Sequence, residues 1–250
     1  ENDIGYHNLM KIVSKGQLEG FYYKPRVDYE LLKTYHEGII ASSACLAGEV
    51  ARALGIGMYE EAKKAALRYE DIFGKGNFFL ELQDHGIELQ RTVNAGLLRL
   101  SEDTGIELIA SNDSHYTFKE DAEPHDILLC IQTGKKVSDE NRMRYPGGQF
   151  YIKSEEEMRE LFPYAQEALD NTQKIAGRCN VTIEFGKTKL PHFSVPEGYD
   201  SWTYLNKLCD DGFARNYPDD DGTVRKRLDY ELSVIRKMGY VDYFLIVWDY

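Results

Sequence analysis

Apolar positions along the first half of the chain follow two alternating rhythms. Tyr29, Leu31 and Leu32 predict a short helix that stops at Gly38. Ile39-Ile40-Ala41-Ser42-Ser43-Ala44-Cys45 then reads as a buried strand. Ala62, Ala65, Ala66, Tyr69 and Ile72 recur at helical spacing, predicting an amphipathic helix over Tyr59 to Phe73 that Gly74 and Gly76 punctuate. Phe78-Phe79-Leu80-Glu81-Leu82 is the next strand. Leu89, Val93, Leu97 and Leu100 mark another helix, ended by Gly105, before a third strand at Ile106-Glu107-Leu108-Ile109. Strand, helix, strand, helix, strand predicts parallel βαβ units, in an open sheet or a β/α barrel.

Beyond residue 116 the pattern turns mostly helical. Pro124 sits in the first turn of a helix carrying Ile127, Leu128 and Ile131. Ser154 and Glu157 have the spacing of a capping box ahead of Met158, Leu161 and Phe162. Ala165, Ala168, Leu169, Thr172, Ile175 and Ala176 continue as a further helix, and Val181-Thr182-Ile183-Glu184-Phe185 reads as a short strand. Pro191, Pro196 and Gly198 make residues 186–200 the linker candidate. Two helices follow, one with Trp202, Leu205, Leu208, Cys209 and Phe213, the other with Val224, Leu228, Leu232 and Ile235, closing at Gly239. Asp219-Asp220-Asp221-Gly222 between them reads as a solvated acidic turn. Trp202, Phe213, Tyr230, Tyr243 and Trp248 read as ordinary core rather than a base-stacking platform. Arg225, Lys226, Arg227, Arg236 and Lys237 read as solvated helix faces, and no DNA contact is assigned to them.

Charge narrows the function classes. The 250 residues hold 42 acidic against 30 basic groups, a net charge of -12, which makes the surface a poor general platform for phosphate neutralisation. Cys45, Cys130, Cys179 and Cys209 are far apart and form no Cys-x-x-Cys pair, so they read as reduced thiols of a cytoplasmic protein. No apolar run approaches the roughly 18 residues that span a bilayer. Gly186-Lys187-Thr188 resembles the tail of a P-loop, but no glycine stands five residues before it. The chain starts at Glu1 and stops inside the apolar segment Tyr243 to Tyr250, so it reads as an internal piece of something longer.

The candidate chemistry gathers where the strands end. The third strand runs into Asp113-Ser114-His115, a hard carboxylate and an imidazole that divalent metals take as ligands. The first ends at Cys45, and the second in Glu81-Leu82-Gln83-Asp84-His85. In β/α barrels the C-terminal strand mouths converge on one cavity, so these groups could form a polynuclear metal site. A second reading stands for each. Cys45 alone is a small buried hydrophobe, Glu81 and His85 are surface groups after a strand, and Asp113 and His115 are polar loop residues.

Ser42-Ser43-Ala44-Cys45-Leu46-Ala47-Gly48-Glu49-Val50, Phe79-Leu80-Glu81-Leu82-Gln83, Asn112-Asp113-Ser114-His115-Tyr116, Cys130-Ile131-Gln132-Thr133-Gly134-Lys135 and Gln149-Phe150-Tyr151-Ile152-Lys153-Ser154 carry a resemblance. So do Ile4 to Leu9, Leu190-Pro191, Tyr230-Glu231-Leu232 and Met238 through Asp249. Together, and in order over essentially the whole chain, they resemble bacterial DNA polymerase III alpha subunits, the replicative C-family polymerases.

That resemblance implies an α/β fold, an incomplete PHP-type (polymerase and histidinol phosphatase) distorted β/α barrel followed by a mainly helical segment. It implies a PHP domain over 1–185, a linker over 186–200 and the start of a polymerase palm region over 201–250. Within this window it implies Cys45, Asp113 and His115 as metal ligands, for zinc, manganese or magnesium. Glu81 and His85 match the family's residues without an assigned ligand role. The family's first metal motifs fall before Glu1, and its catalytic aspartates, with their magnesium, fall after Tyr250. No residue here is a polymerase catalyst. The implied partners are DNA, deoxynucleoside triphosphates, a proofreading exonuclease subunit, the sliding clamp and other replisome subunits. Two roles for the PHP part compete: a metal-dependent phosphoesterase, or a scaffold that docks the exonuclease. A free-standing phosphatase is a third, disfavoured by the palm-like tail.

Overall fold

Helix formation begins one residue inside the chain. In the computed structural model, which describes residues 1–187 and 189–250, α1 (Asp3–Leu18) starts at Asn2, whose side chain accepts from the Gly5 amide at 3.0 Å. Apolar spacing does not predict this helix, because its buried face is Gly5, Asn8, Ile12 and Gly16, mostly small or polar. Gly5 is required there: a Cβ would lie 1.8 Å from the Gly38 carbonyl oxygen. α2 (Tyr29–Thr34) is capped by Asp28, which accepts from the Leu31 amide at 2.9 Å.

The first strand is shorter than expected. β1 covers Ala41–Ser42 rather than Ile39 to Cys45. Ser43 still donates its amide to Phe79 at 2.9 Å, but Ala44 turns into the left-handed region (φ +59°) and the ladder stops. α3 (Glu49–Gly55) and α4 (Tyr59–Phe73) lead to β2 (Phe78–Leu82), and α5 (Glu88–Thr104) leads to β3 (Leu108–Ala110). Gly105 ends α5 in the left-handed conformation that glycine adopts without a Cβ clash. The strands are parallel in the order β1-β2-β3, with Ala41 opposite Phe78 and Leu80 opposite Leu108. The result is a mixed α/β unit with a small parallel sheet and helical crossovers.

Leu80, Leu82, Leu97, Leu100, Ile106 and Phe162 form the fully buried centre of that unit. Each such side chain stabilises by about 2 kcal/mol relative to exposure. α6 (Ala122–Thr133), α7 (Glu155–Leu161) and α8 (Gln166–Arg178) follow. The capping box at α7 is reciprocal, Glu157 taking the Ser154 amide at 2.8 Å and Ser154 the Glu157 amide at 3.2 Å. α8 lies along β3, where buried Asn171 donates to the Leu108 carbonyl at 2.8 Å. Val181 to Phe185 forms no strand: the segment is exposed, and among the described residues nothing pairs with it in a ladder.

Backbone contacts separate Glu1–Thr182 from a second compact unit, Ile183–Tyr250. The second unit consists of α9 (Ser201–Asn216), α10 (Thr223–Met238) and α11 (Val241–Asp249) around Leu205, Leu232 and Leu245, with Phe193 and Val195 packed on them. The acidic turn is more than solvated: Asp220 takes the Val224 and Arg225 amides at 3.0 and 3.1 Å, capping α10. Trp202 packs on the core as expected, whereas Tyr230, Tyr243 and Trp248 are exposed. The Gly186-Lys187-Thr188 P-loop likeness lies partly outside the described residues, at Thr188. Among those described, no helix is long and apolar enough to cross a membrane.

Candidate metal centre at the strand mouths

Glu81 is the hub of the three strand ends. One carboxylate oxygen accepts from Ser42, at the end of β1, at 2.5 Å. The other accepts from Ser111, just past β3, and from the Gln83 amide at 3.1 Å. The Glu81 amide is itself bonded to Ser43 Oγ at 2.9 Å. Three donors on one carboxylate leave it little capacity for a cation. Its work is to stitch the neighbouring strands together, and a surface role is ruled out.

His85 is more completely committed. It is 2% exposed, not a surface group. Its amide donates to Gln90 Oε1 at 2.8 Å, and Gln90 Nε2 donates to the ring Nδ1 at 2.9 Å. That selects the tautomer whose Nε2–H donates to the Asn112 carbonyl at 2.7 Å. The ring lies flat on Phe150, centroids 4.1 Å apart. With both nitrogens engaged, His85 has no lone pair for a metal and instead holds the loop that carries Asp113.

That loop presents the opposite chemistry. Asp113 adopts a left-handed backbone (φ +42°), is exposed, and its carboxylate has no side-chain or backbone partner among the described residues. The turn brings the Asp113 carbonyl to 2.8 Å from His115 Nδ1. A proton on Nδ1 satisfies that carbonyl and leaves Nε2 with a free lone pair, the orientation that metal-ligating histidines adopt. The His115 amide donates to the Phe150 carbonyl at 2.7 Å, and Lys153 Nζ donates to Asn112 Oδ1 at 3.0 Å, pinning the loop to the segment after α6. Burial pulls the Lys153 ammonium below its ordinary value. Beside it, a 2.5 Å hydrogen bond to Glu157, with burial, pushes the Tyr151 phenol up to about 12.

Cys45 is exposed, contrary to the buried-hydrophobe reading. It sits on the turn after β1 and borders a crevice of about 10 Å³, shared with Glu81, Gln83 and Gln90. That is room for roughly one water-sized occupant. Asp113 and His115 do not line it. Among the described residues, no three His, Cys, Asp or Glu side chains are gathered as a ready coordination shell. The Asp113–His115 pair fits a divalent ion in donor type and tautomer; Cys45 stands at a neighbouring mouth with a different set of neighbours.

Aromatic residues that strand-end reasoning passed over surround His115. Its ring lies 4.2 Å from Tyr145, 5.6 Å from Phe150 and 5.8 Å from His125 between centroids. His125 belongs to α6 and Tyr145 to the loop before β-like pairing at Tyr151, so no local spacing links them to Asp113. The only hint in the chain is a histidine one residue after the Pro124 helix start.

Comparison with known proteins agrees with the segment likeness. A PHP domain model matches residues 1–85, which include Cys45, Glu81 and His85 but not Asp113 or His115. A model described as the bacterial DNA polymerase III alpha NTPase domain matches residues 203–250. The chain is 45% identical over 252 residues to the DNA polymerase III subunit alpha of Borreliella burgdorferi and 44% identical over 251 residues to that of Treponema pallidum. The subunit of Campylobacter jejuni is 39% identical over 282 residues. All of this chain is covered in each case, and it spans 22%, 22% and 23% of those relatives' lengths.

Proposed function

Because this chain belongs to the bacterial DNA polymerase III alpha subunit family, we propose that it is part of a replicative DNA-directed DNA polymerase and carries a metal-binding PHP module. Residues 1–185 are the later part of a PHP-type distorted β/α barrel, 186–200 a linker, and 201–250 the lead into the polymerase palm. Nucleotidyl transfer belongs to groups outside this window.

Asp113 and His115 hold a divalent ion, zinc, manganese or magnesium, with Cys45 as a further ligand from the neighbouring mouth. One observation carries this reading: the His115–Asp113 carbonyl bond leaves Nε2 free beside an unpartnered carboxylate. A bound ion would supply electrophilic activation of a phosphoester and its attacking water. The chain's own residues do the rest. His85 and Lys153 fix the Asn112 end of the loop, and Glu81 holds the strand mouths in register. DNA, deoxynucleoside triphosphates, a proofreading exonuclease subunit and the sliding clamp are the partners of the longer polypeptide, which works in the cytoplasm.

A scaffold role is the second reading. Ile127, Leu128 and Ile131 lie exposed on α6, an apolar surface of the kind a partner subunit covers. A free-standing phosphatase is disfavoured by the polymerase match at 203–250.

The test is metal content and phosphodiesterase activity of the full polypeptide beside an Asp113→Ala, His115→Ala double variant. Bound metal and hydrolysis are both expected, and both vanish in the variant. Metal without turnover, or no metal at all, would leave the PHP part a scaffold.

A further inference from the structure

The chain behaves differently on the two sides of Pro191. Ahead of it, Ile183 and Phe185 stand exposed. After it, Phe193 and Val195 pack on Leu205, Leu232 and Leu245 of the second unit. Proline and glycine content predicts one linker over 186–200, yet its later part is built into the three-helix core.

One carboxylate fastens that part. Asp242, in the first turn of α11, accepts on Oδ1 from the Ser201 hydroxyl at 2.6 Å and from the Phe193 amide at 3.2 Å. Its Oδ2 lies 3.0 Å from His192 Nδ1. Ser201 opens α9, so a single side chain ties the incoming segment to the starts of two helices. The Ser201 bond first, then those from His192 and Phe193, hold the Asp242 carboxyl below the ordinary carboxylate range against a cost of burial. The residue types are those of a hydrolytic triad, but Ser201 donates to the acid and not to the imidazole, so the triad geometry is not met.

We propose that Asp242 is a latch that holds residues 192–200 as a strap on the second unit and so sets the length of chain free to join the two units. With the latch closed, the connector is 183–191. With it open, the nine residues of the strap join the connector and add roughly 30 Å of extended chain. The strap is built to lift by itself. Only Phe193 and Val195 reach the core, the His192 side chain is 95% exposed, and Leu205, Leu232 and Leu245 belong to the helices beneath. Few buried contacts mark an element that opens without its neighbours. This inference is independent of the metal reading.

The experiment is hydrogen–deuterium exchange of the full polypeptide, read on peptides covering 192–200 and 228–238, for the unaltered protein and Asp242→Ala. Loss of bonds to a charged acceptor is expected to speed exchange in 192–200 by more than about tenfold. Exchange in 228–238, the α10 segment carrying Leu232, is expected to stay within about twofold. Unchanged exchange in 192–200 overturns the latch. Equal acceleration in both peptides also overturns it, because Asp242 would then hold the whole unit and not the strap. Chymotrypsin cleavage after Phe193, which needs the strap lifted, is expected to rise in parallel. Faster exchange with Phe193 still uncut means that the segment loosens in place, and that too overturns the proposal. Asp242→Asn serves if Asp242→Ala does not fold, since it keeps an acceptor oxygen in the first turn of α11. Charge-assisted bonds are about twice as strong as neutral ones, so at least about a threefold acceleration confined to 192–200 is expected. No acceleration, or one shared with 228–238, overturns the latch.

Discussion

Two acid–histidine pairs end adjacent parallel strands, and they do opposite things. Glu81 and His85 follow β2, and Asp113 and His115 follow β3. The first pair faces inward, with every strong acceptor and ring nitrogen occupied by Ser42, Ser111, Gln83, Gln90 or the Asn112 carbonyl. The second faces solvent, with a bare carboxylate and one free nitrogen. Residue type at a strand mouth therefore does not assign a role. What separates the two pairs is how many of their acceptors the protein itself has used.

The sharpest way to break this comparison is to exchange the hub. Glu81→Leu leaves Ser42, Gln83 and Ser111 without their charged acceptor, and hydrogen bonds to charged groups contribute about 1.5–3 kcal/mol each. A loss of about 3 kcal/mol or more in local stability is expected, read as faster hydrogen exchange at the Ser43 and Ser111 amides of the full polypeptide. Asp113→Asn, which keeps a residue at ease in the left-handed region, is expected to change stability by less than about 0.5 kcal/mol. Equal costs for the two variants would dissolve the distinction.

His85→Leu should come next, at about 2 kcal/mol, since it abandons two buried hydrogen bonds and the stack on Phe150. If Asp113 and His115 hold an ion as proposed, the same variant should also weaken its binding by freeing the Asn112 carbonyl. A variant as stable as the parent would mean that the buried pair is not holding the loop.

The smallest effect is a pH dependence at the clasp beneath the loop. Tyr151, raised to about 12 by Glu157 and burial, contributes stability that is complete below its ordinary value of 10.0 and is lost as pH rises through about 12. The same bond lowers Glu157, whose contribution is present above its ordinary 4.5 and lost as pH falls. Urea melts should show the protein's advantage over Tyr151→Phe shrinking between those alkaline limits. A constant advantage across them would remove the bond from the account.

Much of the first unit was legible because its elements are locally consistent. α4 spans Tyr59–Phe73 as its apolar period and Gly74 predict, β2 spans the five-residue apolar run, and the Ser154–Glu157 box closes as its spacing requires. Errors fell where a distant partner decides. Val181 to Phe185 has a strand's composition and no neighbour to pair with. β1 is cut short by the turn at Ala44, and α1 was hidden because it buries Gly5 and Asn8 against the chain at Glu37–Gly38 and Gly16 against Arg26 and Val27. Cys45 was visible as a candidate thiol, but its exposure and its crevice were not.

Sequence alone determined the alternation of strand and helix, the placement of acid and histidine at strand mouths, and the family. Periodicity, caps and turn residues act over a few positions, so they can be read along the chain. Tertiary structure alone decided which carboxylate is saturated and which is bare. It also decided that His125, ten residues from His115, stands beside its ring. Hydrogen-bond saturation and ring contact are properties of groups brought together by folding, and no local pattern encodes them.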